Sequence, residues 1–146
     1  MNENQLFIKE SSLPGSGKGL FTKAFIPSGT HIIEYKGRVT TWKEVEEKEA
    51  DNVYIMYVNR NHVINARPYR KALARYANDA KGFGKIKGLR NNAVYVTVKK
   101  KVYIEAIRNI KPGEEVLVDY GREYWQTMRE NKRIDEQKGT NTGTLQ

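Results

Sequence analysis

The chain has no cysteine and only two histidines, His31 and His62. Disulfides, thiolate metal sites and cysteine nucleophiles are therefore excluded, and a histidine-built cluster lacks its ligands, so no metal is expected. No apolar run approaches the roughly 18 residues that cross a bilayer. The opening MNENQLFIKES does not pair a basic segment with an apolar one, as a secretory signal does. These absences predict a soluble, intracellular protein with no membrane partner: cytoplasmic in a bacterium, with the nucleus open to it in a eukaryotic or viral setting.

What is present is a chain of 146 residues, the size of one domain, with 38% apolar residues. That fraction predicts a small core under much polar surface. Lysine and arginine number 26 against 17 acidic residues, a net charge of +9 and a pI near 9.7. Such a charge favours acidic partners, nucleic acid among them, or simply solvates the surface.

Short β-branched and aromatic runs at 5–11, 19–25, 31–39, 53–58, 63–66, 93–98, 102–107 and 115–120 predict a mostly-β domain with short helices. Pro27-Ser28-Gly29 and Lys111-Pro112-Gly113 read as turns, and Lys99-Lys100-Lys101 as a hairpin turn between two strands. Thr41 followed by Glu44 is a capping-box pattern opening a helix, WKEVEEKEA. Pro68 opens a second, YRKALARYA, with Asn78 where it would end. A third helix is expected near Glu123. The ordered domain is expected over 1–130, with a polar, disordered tail over 131–146.

Three segments stand out, and each has an ordinary explanation. Pro14 to Phe21, PGSGKGLF, is not a phosphate loop: Ser12 stands where that motif needs glycine, and Gly19 where it needs serine or threonine. Nor is it a dinucleotide G-x-G-x-x-G, because Leu20 follows Gly19. It remains a glycine-rich turn whose backbone a ligand can approach closely. In ALARYANDA, residues 72–80, an asparagine at a helix end serves first as a cap. GEEVLVDYG, residues 113–121, is a turn and a buried strand ending in Tyr120, with Tyr124 and Trp125 just beyond.

Together they resemble the SET-domain protein-lysine methyltransferases. Gly17-Lys18-Gly19-Leu20-Phe21, Arg75-Tyr76-Ala77-Asn78 and Gly113-Glu114-Glu115 through Asp119-Tyr120-Gly121 match that family's three motifs in order. Glu34-Tyr35-Lys36-Gly37, Ile64-Asn65-Ala66 and Asn92-Ala93 are similar to its minor landmarks. The likeness covers roughly residues 6 to 126, and without flanking cysteine clusters the chain resembles the minimal SET proteins of viruses and bacteria.

The resemblance implies small sheets around a pseudoknot-like C-terminal segment. It implies methyl transfer from S-adenosylmethionine, leaving S-adenosylhomocysteine, to a lysine amine of a protein such as a histone. It makes Tyr120 the catalytic tyrosine. Ser16, Gly17, Lys18, Gly19, Leu20, Tyr54, Arg75, Tyr76, Asn78, Asp79 and Trp125 would hold the cofactor; Tyr35, Met56 and Val118 would line the lysine channel.

Three departures accompany it. Asp79 replaces the usual histidine, Val118 replaces an aromatic that in many relatives limits the number of methyl groups added, and flanking zinc-binding cysteines are missing. The alternative is a degenerate SET module that binds nucleic acid or an acidic protein through its basic surface. An unrelated β-rich RNA-binding domain fits less well, because no short strand carries clustered aromatics.

Overall fold

The local patterns are realised as short antiparallel strands joined by tight turns. The computed structural model describes residues 1–81 and 88–120. The order is β1 (Leu6–Glu10), β2 (Lys18–Thr22), β3 (His31–Glu34), β4 (Arg38–Thr40), α1 (Trp42–Lys48), β5 (Ile55–Asn59), β6 (His62–Asn65), β7 (Ala93–Val98), β8 (Lys101–Ala106) and β9 (Val118–Asp119). Three sheets result: the pair β1-β2, a four-stranded sheet β3-β8-β7-β9, and a three-stranded sheet β4-β6-β5. All pairings are antiparallel except β7 with β9.

Apolar side chains from these sheets and the segments between them share one core, which includes Leu20, Ile26, Ile32, Val102, Ile104, Ile110, Val116 and Val118, all essentially without solvent contact. Each such aliphatic residue contributes about 1.5–3 kcal/mol by burial. A second cluster, Leu13, Ala80 and Leu117 with Leu89 against it, sits under the glycine-rich turn and the C-terminal segment.

Helix α1 begins as expected, the Thr41 hydroxyl accepting from the Glu44 amide at 3.3 Å. The reciprocal half of the box is rerouted: the Glu44 carboxylate accepts from the Thr40 hydroxyl. That bond and the charge of Lys48 hold Glu44 below the usual carboxylate range. The hairpin at the lysine run also forms. Val98 pairs with Lys101, so Lys99 and Lys100 make a two-residue turn, both left-handed at φ 50° and 69°. This is the sterically costly form that asparagine-glycine usually occupies.

Two expectations are corrected. The run 31–39 is two strands in different sheets, because the chain crosses the backbone of Asn65 at Gly37, where a Cβ would lie 2.6 Å from the Asn65 carbonyl oxygen. The helix from Pro68 does not form; successive turns lead to a single 3₁₀ turn, Leu73–Tyr76. The Arg75 guanidinium takes the carbonyls of Ala66 and Arg67 at 2.9 and 2.8 Å, and the Tyr76 hydroxyl takes that of Arg70 at 2.9 Å. An α-helix opening at Pro68 would give the carbonyls of Arg67 and Arg70 to the amides of residues 71 and 74. Asn78 is accordingly no helix cap and is not left-handed.

The C-terminal segment is shared among elements. Glu115 bridges to Phe21, Leu117 bridges in parallel to Asn78, and only Val118–Asp119 join β7 as a strand. The expected third helix, residues 121–130 and the tail 131–146 lie outside the described residues. Among the described residues no helix is long and apolar enough to cross a membrane.

Candidate active site

The three motifs meet at the C-terminal segment. β2 brings in the glycine-rich turn, whose Gly17 carbonyl accepts from the Ser11 amide at 2.8 Å. Gly15 and Gly17 are left-handed, with open space among the described residues where a side chain would stand. Gly19 is extended and crowded. A Cβ there would stand 3.0 Å from Glu115 Cδ and 3.2 Å from Ser11 Cβ, and closer still to a Glu115 oxygen. Ser16 and Lys18 are exposed, whereas the Leu20 side chain lies in the core and its carbonyl accepts from the Val116 amide at 2.7 Å.

Glu115, 6% exposed, ties this turn to the central motif. Its carboxylate accepts from the Ser11 hydroxyl at 2.7 Å, the Ser12 amide at 2.9 Å and Asn78 Nδ2 at 3.4 Å. Asn78 Nδ2 also donates to the Lys18 carbonyl at 2.9 Å, so Asn78 clasps the glycine-rich turn from the other side. On the far flank Asn92 closes the arrangement. It donates to the Glu115 carbonyl at 2.9 Å and accepts from the Leu117 amide at 2.8 Å, both buried.

Tyr120 follows β9. Its amide donates to Asp79 Oδ2 at 2.9 Å, and its hydroxyl donates to the Ala77 carbonyl. Its ring lies parallel to Tyr95, centroids 6.2 Å apart, and Tyr35 meets Tyr95 edge-on at 6.1 Å. Three tyrosines from β3–β4, β7 and the C-terminal segment thus form one aromatic wall. Beside it Lys81 pairs with Asp119 at 2.9 Å, and that hydrogen bond holds the ammonium above the ordinary lysine range.

The remaining candidates are placed differently. Arg75 stands over the Tyr54 ring at 4.3 Å and braces the backbone at 66–67, so its hydrogen bonds to backbone among the described residues go to the fold around β6. Its Nε is buried with no hydrogen-bond partner among the described residues. The Tyr76 hydroxyl is occupied at Arg70, and Met56 packs half-buried against the core. Val118 is wholly buried. Trp125, like Tyr124, lies outside the described residues.

Sequence reasoning missed Glu115 and Tyr95 as members of the site and took Asn92 only as a landmark. The doubled glutamate of GEEV is the one local signal for Glu115. Nothing local distinguishes Tyr95, whose place follows from the parallel pairing of β7 with β9.

The SET domain family model matches residues 17–121. Among curated proteins, human histone-lysine N-methyltransferase SETMAR is 30% identical over 142 residues, covering 84% of this chain and 19% of that protein. N-lysine methyltransferase KMT5A-A of Danio rerio is 24% identical over 119 residues, covering 75% and 33%. The chain therefore spans a third or less of the length of these relatives. The methyltransferase domain of human PR domain-containing protein 2 has the same fold, with a TM-score of 0.61 at 23% identity over 84% of this chain and 80% of that one. The matched stretch holds the turn at Gly17, the Asn78 clasp and Tyr120 within one continuous fold, and on that ground the chain belongs to the SET-domain family.

Proposed function

We propose that the chain is a protein-lysine methyltransferase that uses S-adenosylmethionine, is intracellular, and has histones as the acceptor to test first. The observation that carries this reading is the Tyr120 hydroxyl donating to the Ala77 carbonyl, one residue before Asn78, with Tyr95 and Tyr35 behind it. A hydroxyl that gives its proton to a carbonyl has a polarised oxygen, better able to accept from an amine. The carbonyl and hydroxyl oxygens together suit the positive charge that develops on the amine as the methyl is transferred.

When bound, S-adenosylmethionine supplies an electrophilic methyl group on a sulfonium. The residues fit it. Gly15 and Gly17 leave open backbone, the Asn78 amide oxygen carries none of the bonds that fix its nitrogen, and the buried Arg75 Nε is a donor without a partner among the described residues. Asn78, held from two sides, would keep the Lys18 carbonyl and the turn in register for binding. Arg75 and Tyr54 would support that surface from below, and Trp125 would offer its ring.

A lysine amine has a pKa near 10.4 and is mostly protonated at neutral pH. An aromatic wall disfavours the ammonium by desolvation, so Tyr35, Tyr95 and Tyr120 favour the neutral amine. Tyr120 then orients it, and the chain contributes positioning more than acid chemistry. The +9 charge would draw the protein to nucleic acid or an acidic surface near its acceptor.

Calorimetry with S-adenosylmethionine, followed by transfer of labelled methyl to core histones, tests the reading. Cofactor binding is expected, with turnover lowered about 100-fold or more in Tyr120→Phe and cofactor affinity retained. Full activity of that variant would remove Tyr120 from its role. No cofactor binding, together with salt-dependent affinity for DNA or RNA, would instead make the protein a binding module.

A further inference from the structure

We infer that the Asp79 carboxylate is the positioning residue of Tyr120, a role taken here by an aspartate where relatives usually carry histidine. The inference rests on the assignment of Tyr120 above. Asp79 is 2% exposed, and among the described residues three donors face it. Oδ1 accepts from the Lys81 amide and from Asn91 Nδ2, both at 2.8 Å, and Oδ2 accepts from the Tyr120 amide at 2.9 Å. Asn91 cannot turn its amide over without loss, because its Oδ1 accepts from the Ala80 amide at 2.7 Å.

Tyr120 is consequently gripped at both ends by one three-residue segment: its hydroxyl by the Ala77 carbonyl, its amide by the Asp79 side chain. Between the two grips, Val118 donates to the Asn78 carbonyl at 2.8 Å. With both ends fixed, the phenol has little freedom to swing or slide relative to Asn78. Bonds accepted by an ionised carboxylate are the stronger kind. The side-chain chemistry is also selective. A neutral imidazole offers one acceptor, and an asparagine offers one acceptor oxygen and turns an NH₂ toward a donor. Only a carboxylate satisfies all three donors. The charged group nearest by chain, Lys81, is committed to Asp119 at 2.9 Å and also feels the charge of Asp79.

The test uses the full chain and Asp79→Asn. In the protein without cofactor, the Tyr120 amide is expected to shift in its ¹H–¹⁵N resonance and to exchange hydrogen about 10-fold faster. With core histones and S-adenosylmethionine, kcat is expected to fall about 10- to 100-fold, as a misplacement on the order of 1 Å does. The Asp79 carboxylate is committed to Lys81, Asn91 and Tyr120 in place of the cofactor contact that the resemblance implied. The cofactor Kd and acceptor KM should therefore stay within about threefold, a split that general loosening of the fold would not produce. If kcat stays within about threefold, or the Tyr120 resonance does not move, the inference is overturned. Should Asp79→Asn not fold, Asn91→Ala removes one prop of the carboxylate and should show the same resonance shift with a smaller fall in kcat. An unmoved Tyr120 amide there overturns it equally. If the unaltered protein neither binds cofactor nor transfers methyl, the assigned function fails, while the amide readout still decides whether Asp79 holds Tyr120.

Discussion

Replacing Gly19 by alanine probes the junction on which the site is built. The added methyl would overlap a Glu115 carboxylate oxygen, which must retreat by about 1 Å to reach ordinary contact. The retreat breaks or stretches bonds from the Ser11 hydroxyl at 2.7 Å and the Ser12 amide at 2.9 Å, and loosens Asn78. Bonds to a charged acceptor contribute about 1.5–3 kcal/mol each, so with water replacing part of the loss the expected cost is about 2–4 kcal/mol. Against a total stability of about 5–15 kcal/mol that is large, and it corresponds to a melting point lower by roughly 6–13 °C. Thermal and urea unfolding of Gly19→Ala, Glu115→Ala and the double variant measure it. Once Glu115 is alanine, the methyl at residue 19 meets no carboxylate; only the Ser11 Cβ at 3.2 Å must give by a few tenths of an ångström, so the extended backbone accepts alanine at a much smaller cost. The two substitutions should therefore be non-additive, with a coupling of about 2–3 kcal/mol. Additive costs would refute the reasoning, as would a Gly19→Ala cost no larger than the roughly 1–2 kcal/mol expected for alanine at left-handed Gly17.

The hairpin carries two left-handed lysines, so the double substitution Lys99→Asn with Lys100→Gly should stabilise the protein by about 1–2 kcal/mol, read as a higher denaturation midpoint at unchanged m-value. Asn92→Ala strands the buried Glu115 carbonyl and Leu117 amide and should cost about 2–4 kcal/mol in urea unfolding. Gly37→Ala would press a methyl onto the Asn65 backbone, which has no flexible end to withdraw; a cost of about 1–3 kcal/mol or more is expected by the same measurement. Because Asp119 raises the Lys81 pKa, that pair's stabilisation is whole below the ordinary lysine value near 10.5 and is lost as pH rises through the higher folded value. The pair is half exposed, so Lys81→Met should cost no more than about 1 kcal/mol at pH 8, and the difference from the unaltered protein should vanish well above pH 11.

Much of this was legible in the chain itself. Period-two alternation marked most of the strands, Thr41 and Glu44 marked α1, and the lysine run marked its own turn, because each depends on neighbours within a few residues. Gly17, Asn78 and Tyr120 could be named as candidates for a different reason: the order of three motifs resembles a family. The helix expected from Pro68 failed because Arg75 and Tyr76 take the carbonyls such a helix needs, and those bonds run across a folded loop. The run 31–39 split at Gly37 because the backbone of another strand passes there.

By itself, then, the sequence determined the β-rich class, the exclusion of thiol chemistry, the basic charge and the three segments that carry the site. Tertiary structure alone decided what joins them. Glu115 reaches Ser11 across 104 residues, and Asp79 reaches the Tyr120 amide across 41. No local propensity encodes a hydrogen bond whose partners become neighbours only when the C-terminal segment lies between Asn78 and β7. For that reason Asp79 reads as a departure in the sequence and as the grip on Tyr120 in the fold.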